Sequence, residues 1–236
     1  NSMRQYIHKL SNTVIMSPTD TWKLSDVNIK PQRGWQAAAG LYLNSPSGIW
    51  EYSVEGYYKR MSDYLDYRGG AKLLMNHHIE TDVINTQGHA YGVELQVKKQ
   101  VGKLNGWMSY TYSRTFLRQN DKRIEKPVNN GDWYPTEYDK PHDFKFVGNY
   151  KFTHRYSMSI NVDYSTGRPT TIPAGQYYDE STQSMRVYYT ERNSYRIPDY
   201  FRTDISFNIE PSHHLTLLTH LSLIHISEPT RLLSIS

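Results

Sequence analysis

Two groups of polar residues in this chain have side chains that could do chemistry. The first combines histidines and carboxylates, the side chains that can bind Zn²⁺: His77, His78, Glu80, Asp82 and His89. Adjacent residues of an extended chain point to opposite faces, and the spacing matches no zinc motif. We therefore interpret the group as part of a solvated loop and predict neither a metal site nor a cofactor.

The second group places two carboxylates beside a histidine, as an acid–base catalyst would. Asp139, His142 and Asp143 lie within five residues of one another, and Pro141 separates them. No serine or cysteine in a nucleophile-like context is close by, and adjacency along the chain does not make a catalytic triad. We interpret the segment as a loop that closes into a strand near Phe144, with the proline at the strand edge. The sequence predicts no catalytic residue.

A third set of residues is suited to binding a ligand without reacting with it. Aromatic faces can stack on sugars or flat chelates, and arginine can grip a carboxylate with two hydrogen bonds. The candidate ligand contacts, which lie in long polar stretches of the chain, are Trp133, Tyr134, Tyr177, Tyr178 and Arg192. The alternative, which the pattern alone favours, is that these side chains pack loops together or anchor the protein at a membrane interface.

The segments that position these residues have the period of β-strands. From Tyr156 to Tyr164 the even positions are Tyr, Met, Ile, Val and Tyr, while the odd positions from Ser157 to Ser165 are all polar. A helix would mix the two sets on each face, whereas a strand separates them. Similar alternation, less clean in places, predicts further strands at residues 35–43, 50–58, 91–97, 108–116, 144–152, 201–209 and 215–221.

The connections between these strands alternate in length. Short turns fall at residues 44–48, 102–106, 153–155 and 211–214, and long polar stretches at 61–87, 117–142 and 166–199. Compact soluble domains seldom have three such long loops. Outer-membrane barrels combine short periplasmic turns with long extracellular loops. We therefore predict an all-β fold, an antiparallel meander of about eight strands that forms part of a transmembrane β-barrel.

The amino-acid composition is consistent with a β-sheet that is apolar on one face only. Hydrophobic residues make up 37% of the 236 residues, yet 21 are tyrosine, so the chain is neither a typical soluble core nor a disordered segment. There is no cysteine, which excludes disulfides and thiolate metal sites. A net charge of +4, evenly spread, gives no reason to expect a nucleic-acid partner.

Several segments resemble one family of proteins. They are the stretch Gly-Val-Glu-Leu-Gln-Val from Gly92, Trp-Met-Ser-Tyr-Thr-Tyr-Ser from Trp107, Tyr-Asp-Lys-Pro-His-Asp-Phe from Tyr138, Arg-Ile-Pro-Asp-Tyr-Phe-Arg from Arg196, Tyr-Ile-His from Tyr6 and Lys-Pro-Gln from Lys30. The set resembles TonB-dependent receptors of the Bacteroidetes type, over about residues 4–222.

The resemblance implies a C-terminal part of a barrel of about 22 strands closed around an N-terminal plug. Residues 1–222 would supply about eight of those strands, without the plug and its TonB-contacting segment. It further implies a cell outer membrane location, contact with outer-membrane lipid and with the TonB complex, and energy-coupled uptake of a small nutrient. Siderophores, cobalamin, glycans and peptides are all taken up by such barrels, and none of these transport steps is enzymatic.

The two ends of the chain depart from a complete receptor. Asn1 to Leu10 has no signal peptide pattern, so we interpret the chain as a fragment. Family members end in a strand with a terminal aromatic residue, whereas this chain has Glu228-Pro229 and ends in Ser236. We expect residues 223–236 to be a non-native or disordered tail; the alternative is a divergent terminus.

Three other functions are compatible with alternating strands. A passive porin-like barrel would lack the plug, and a soluble all-β binding module would fold without detergent. Outer-membrane proteases and lipases, the third class, usually close a small barrel within one modest chain, whereas this chain is expected to be open at both ends.

Overall fold

A computed structural model describes residues 2–10, 21–27, 29–67, 83–119, 127–180, 183–212 and 215–226. Within these ranges the chain forms strands, joined by turns that include a 3-10 turn at Val128–Gly131. No helix in the described ranges has the length and apolar character needed to cross a membrane. The strands are β1 (Ser2–Gln5), β2 (Ile7–Leu10), β3 (Thr21–Leu24), β4 (Gln32–Asn44), β5 (Trp50–Tyr67), β6 (Val83–Lys99), β7 (Leu104–Gln119), β8 (Tyr134–Pro135), β9 (His142–Lys151), β10 (Tyr156–Ser165), β11 (Pro169–Thr170), β12 (Pro173–Asp179), β13 (Ser184–Tyr189), β14 (Tyr195–Arg196), β15 (Tyr200–Ser212) and β16 (Leu215–Ile226).

One large antiparallel sheet dominates the described residues. Its order is β1-β4-β5-β6-β7-β9-β10-β15-β16, and β8 pairs with β7 beside this path. Among the described residues, eight strands have ten or more residues, and each of them pairs with the next along the chain. This confirms the predicted all-β meander of about eight strands. The sheet is open in the described part of the chain, with β1 and β16 at its edges, which is consistent with one part of a barrel wall.

Short and long connections leave opposite ends of the sheet, as predicted. The β4–β5, β6–β7 and β9–β10 turns are short, and the β5–β6, β7–β9 and β10–β15 connections are long. The predicted boundaries were wrong, however, because β5 continues to Tyr67 and β6 begins at Val83, inside the stretch 61–87 predicted as loop. The stretch 166–199 also contains two small two-stranded sheets, β11–β14 and β12–β13. Parts of the predicted loops, residues 68–82 and 120–126, lie outside the described residues.

The alternating segment predicted at residues 50–58 stops short of the end of β5 because a bulge interrupts the alternation. Met61 pairs with Gly88 and Tyr64 with Thr86, so β5 has one residue more than β6 at this point. Asp63, within the bulge, has a positive φ of 56°. A bulge of this kind reverses which face the following residues occupy. The alternation of apolar and polar residues therefore breaks at the bulge, although the strand itself continues.

The register assigns the two sets of side chains to separate faces of the whole sheet. Ile160 of β10 lies beside Ile205 of β15 and Gly148 of β9, whereas its neighbour Asn161 lies beside Asp204. We call the surface that carries Ile160 the apolar face and the opposite surface the polar face. Large side chains remain exposed on the apolar face, including Leu41, Val54, Val93, Leu95 and Phe207. In a soluble β-sandwich this face would pack against a second sheet.

Aromatic residues border the apolar face on several strands. Tyr156 and Tyr164 flank Met158, Ile160 and Val162 on β10. Eight residues of strand span ~26 Å, which is comparable with the ~25 Å apolar band of outer-membrane barrels. Tyrosine and tryptophan prefer the interface between lipid and water, because their rings are apolar at one end and polar at the other.

The buried apolar residues concentrate near the long connections. Those of the described residues are Ile29, Met61, Val83, Ile84, Ala90, Leu117 and Tyr134. The strands β5, β6 and β7 have 18, 17 and 16 residues, more than a membrane crossing needs, so their ends project beyond the apolar band. The core of the described structure therefore lies where the long connections meet these projecting ends.

The final strand continues into the segment that was expected to be a tail. β16 runs from Leu215 to Ile226 and pairs with β15 along this length, for example Leu223 with Thr203. Residues 223–226 therefore belong to the strand, while residues 227–236 lie outside the described residues. Whether the tail is native stays a prediction.

Candidate functional site

The long connections meet in a buried polar network on the polar face of the sheet. Its centre is the carboxylate of Asp66, near the end of β5. The Tyr134 hydroxyl donates to Oδ2 of Asp66 at 2.6 Å, and Nη1 of Arg192 donates to the same oxygen at 2.7 Å. The Tyr67 N–H donates to Oδ1 at 2.8 Å. Each carboxylate oxygen of this aspartate therefore accepts at least one hydrogen bond.

The bulge in β5 is what turns Asp66 toward this network. Up to Tyr58 the even residues of β5 lie on the apolar face, opposite residues such as Tyr91. After the bulge, Tyr64 and Asp66 pair with Thr86 and Ile84 and lie on the polar face. Without the extra residue this carboxylate would face away from the connections that contact it.

Two consecutive residues of the β10–β15 connection are held by the β7–β9 connection. The Arg192 N–H donates to Oδ1 of Asn129 at 2.8 Å, and Nδ2 of Asn129 donates to the carbonyl oxygen of Arg192 at 3.1 Å. Next to it, Nδ2 of Asn193 donates to the carbonyl oxygen of Pro135 at 2.8 Å. Asn129 and Asn193 have φ values of 48° and 55°, a left-handed conformation that asparagine adopts more readily than most residues.

A second buried carboxylate, Asp139, joins the same two connections. Its side chain is fully buried and accepts the Thr115 N–H at 2.7 Å. Arg114 and Arg196 both form ion pairs with it, and Nη1 of Arg196 also donates to the carbonyl oxygen of Gly167 at 2.9 Å. The side chain is thus occupied in holding the loop, in agreement with the interpretation of this segment as loop closure.

The surroundings of these groups shift their protonation equilibria. Burial, together with the nearby Asp66 carboxylate, raises the pKa of the Tyr134 hydroxyl well above its usual value, so it stays a proton donor. Hydrogen bonds from the Tyr164 hydroxyl and the Gly167 N–H hold the pKa of Asp199 below its usual value. Both groups therefore keep the proton state that their contacts need at neutral pH.

The predicted ligand contacts fall into a pair that belongs to the polar network and an exposed set. Tyr134 is 1% exposed and, like Arg192, belongs to the network around Asp66. Trp133 is 41% exposed; its ring meets His89 edge-on at 4.4 Å, and the Arg118 guanidinium lies 4.9 Å from its ring centre.

The remaining two candidates lie on the β12–β13 hairpin. Tyr177 and Tyr178 of β12 are 51% and 58% exposed. The structure thus brings Tyr134 and Arg192 together and places these two tyrosines on a separate hairpin of the same connection as Arg192. Ligand contact by any of the five stays a prediction.

The network includes residues that the sequence did not indicate. Asp66 carries no local signal, because the bulge that orients it is not visible in the pattern. Asn129 begins an Asn-Asn-Gly sequence, which is a recognisable turn signal, although its contact with Arg192 is not.

In the part of the chain that the structure describes, no group of three or more histidine, cysteine or acidic side chains could hold a metal ion. His77, His78, Glu80 and Asp82 lie outside the described residues. His89, the remaining member of that group, packs against Trp133.

An antiparallel sheet with an uncovered apolar face, a polar opposite face and long connections at one end defines the wall of an outer-membrane β-barrel. The comparison with protein families agrees: the family described as TonB dependent receptor-like, beta-barrel, matches residues 7–220. The chain belongs to the TonB-dependent receptor family. No curated protein and no solved structure matches it. Members of this family are outer-membrane receptors and transporters rather than enzymes.

Proposed function

We propose that this chain forms part of the barrel wall of an outer-membrane receptor that imports a scarce small nutrient with energy transmitted by TonB. The observation that carries the proposal is the separation of the two faces across eight strands, together with the family match. The apolar face contacts lipid, and the polar face lines the path of the nutrient. On this orientation the long connections are extracellular and the short turns periplasmic.

The exposed tyrosines of the β12–β13 hairpin are the first contacts for the nutrient. Tyr177 and Tyr178 offer ring faces on which a sugar or a flat chelate can stack. Trp133 packs against His89, which shares the apolar face with Tyr91, so it anchors its connection on the outer side of the wall. Tyr134 and Arg192 are engaged with Asp66 and support the connections from beneath.

The polar face is better suited to the passage of a nutrient than to its tight binding. Along β10 it presents Ser157, Ser159, Asn161 and Asp163, and hydroxyl and amide groups of this kind form hydrogen bonds that water readily replaces. A nutrient released from the connections meets weak contacts along the wall. No step of this transport makes or breaks a covalent bond.

Uptake by cells that express the complete receptor tests this proposal. The probes are radiolabelled cobalamin, a ferric siderophore, an oligosaccharide and a peptide, each measured with the receptor gene present or deleted and with TonB present or deleted. We expect one probe to lose its uptake in both deletions. Uptake that needs the receptor but not TonB indicates a passive porin, and recovery of the receptor in the soluble fraction indicates a soluble binding module. Either result contradicts the proposal.

The aromatic contacts can be tested in the same assay. The pair Tyr177→Ala and Tyr178→Ala should weaken uptake at low nutrient concentration by roughly tenfold, the loss expected from one or two stacking contacts. Tyr195→Ala, at a tyrosine that is 43% exposed in the same long connection, is the matched control and should leave uptake unchanged. Equal effects of all the variants would argue against a specific aromatic site.

A further inference from the structure

We propose that the ion pair between Arg192 and Asp66 is a latch that holds the β10–β15 connection across the polar face as a lid. Arg192 and Asp66 are then positioning residues for the aromatic side chains on that connection. The importance of this lid for uptake rests on the proposed function, but the lid itself is a property of the fold. The two residues are 126 positions apart in the sequence.

The latch spans a considerable width of the sheet. In the sheet order, β6, β7 and β9 separate β5, which carries Asp66, from β10, where the connection begins. Four steps of about 4.8 Å between neighbouring strands make a distance of roughly 19 Å. The connection must therefore cross the ends of three strands before Arg192 can reach its partner. A chain segment that crosses the polar face in this way lies over the end of the path that the face lines.

Side-chain contacts, rather than sheet pairing, fix the lid in place. Within the described residues, β11 pairs with β14 and β12 with β13, and the large sheet includes none of these strands. Besides its ion pair, Arg192 donates through Nη2 to the carbonyl oxygen of Tyr67. It therefore grips both the side chain and the backbone at the end of β5.

The pair is sufficiently buried for its loss to matter. The side chains of Arg192 and Asp66 are 17% and 20% exposed. Removal of one partner leaves the other charge in a poorly solvated place without its counter-charge, which is far more costly than loss of a surface ion pair. The neighbouring hydrogen bonds hold the lid to the β7–β9 connection and not to β5: the backbone of Arg192 is bonded to Asn129, and the side chain of Asn193 to Pro135. Loss of the latch should therefore release the lid from β5, while residues 192 and 193 stay attached to the β7–β9 connection.

Distances between two spin labels on the complete receptor test the latch. The chain has no cysteine, so cysteines introduced at Gln176 on the lid and at Lys103 in the β6–β7 turn can be labelled specifically once any elsewhere in the receptor are replaced. We expect one narrow distance distribution for the parent protein. Arg192→Gln and Asp66→Asn should each raise the share of a second, broader population at least roughly tenfold, which corresponds to about 1.4 kcal/mol. Arg192→Lys keeps the charge but not the two parallel donors of the guanidinium, so its share of the second population should lie between that of the parent and that of Arg192→Gln.

A more exposed ion pair elsewhere in the chain provides a control for the loss of an arginine. Arg202 and Asp204 lie two residues apart on β15, with Nε and Oδ2 separated by 2.9 Å, so Arg202→Gln breaks an ion pair without touching the lid. This variant should keep the parent distribution. Unchanged distributions in Arg192→Gln and Asp66→Asn would overturn the proposal. Should those variants fail to fold, Arg192→Lys removes the second donor of the guanidinium while it keeps the charge, and an unchanged distribution in that variant overturns the proposal equally.

The latch and the proposed function are tested by two independent measurements. The spin-label distances are measured without any nutrient, so they do not depend on what the receptor transports. In the uptake assay, a released lid should raise the nutrient concentration for half-maximal uptake and leave the maximal rate nearly unchanged. Uptake that is independent of TonB would refute the proposed importer while leaving the latch in place. Unchanged spin-label distances together with TonB-dependent uptake would refute the latch while leaving the importer in place.

Discussion

Arginine placed on the apolar face should destabilise the receptor, whereas arginine on the polar face should not. Ile160 is the best position for this test, because it lies midway between Tyr156 and Tyr164 and beside Ile205 on the neighbouring strand. An arginine at the middle of the bilayer on the lipid side of a barrel costs about 2–4 kcal/mol. This corresponds to a roughly thirtyfold to thousandfold decrease in the folding equilibrium constant.

The matched controls are the two neighbouring positions on the same strand. Ser159 and Asn161 lie on the polar face, beside Ser206 and Asp204. Arginine at either should change stability little, because the new charge would face water. The complete receptor is refolded from urea into phosphatidylcholine vesicles, and the folded fraction is read from the mobility difference between unheated and boiled samples in gel electrophoresis. Equal losses at Ile160 and at the two controls would refute the assignment of the faces.

Two further predictions concern a close strand contact and a titrating carboxylate. Gly106→Ala should cost about 1–3 kcal/mol, because a Cβ atom there would lie 2.0 Å from the carbonyl oxygen of Val147; Gly56→Ala, whose Cβ would have no atom closer than 3.9 Å, is the control in the same urea titration. Hydrogen bonds, the largest from Tyr164, lower the pKa of Asp199, so its stabilising effect is complete above the ordinary value of about 4 and is lost as pH falls through the lower folded-state value. The urea midpoint of Asp199→Asn should therefore fall less than that of the parent between about pH 6 and pH 2, and parallel curves would contradict this reasoning.

The fold was largely predictable because the two faces of each strand have different surroundings, and apolar and polar residues alternate along the strand accordingly. In β10 every even position from Tyr156 to Tyr164 is apolar or aromatic, and the register confirms that these side chains share one face with the odd positions from Phe201 to Ile209. Prediction failed where the backbone departs from regular pairing. The bulge at Asp63 hid the end of β5, and β11 and β14 of the β10–β15 connection have two residues each, too few to show a period.

The network of the candidate site was predictable only in part, for a related reason. Tyr134 and Arg192 were recognisable from the sequence as residue types that form hydrogen bonds with a ligand or with neighbouring loops. Their shared partner, Asp66, is distant in sequence and reaches the polar face only because of the bulge. Pairing of this kind depends on tertiary structure and leaves no local pattern. The resemblance to TonB-dependent receptors, in contrast, needed only an ordered set of strand and turn segments, and the family match over residues 7–220 confirms it.

The orientation of the two faces can be measured residue by residue on β10. Single cysteines from Tyr156 to Ser165 in the complete receptor, spin-labelled in lipid vesicles, report contact with oxygen dissolved in lipid and with a nickel chelate dissolved in water. We predict that oxygen contact is high at the even positions and low at the odd positions, and that nickel contact shows the opposite phase. Uniform values along the strand, or high nickel contact at Ile160, would contradict the assignment of this face to the membrane.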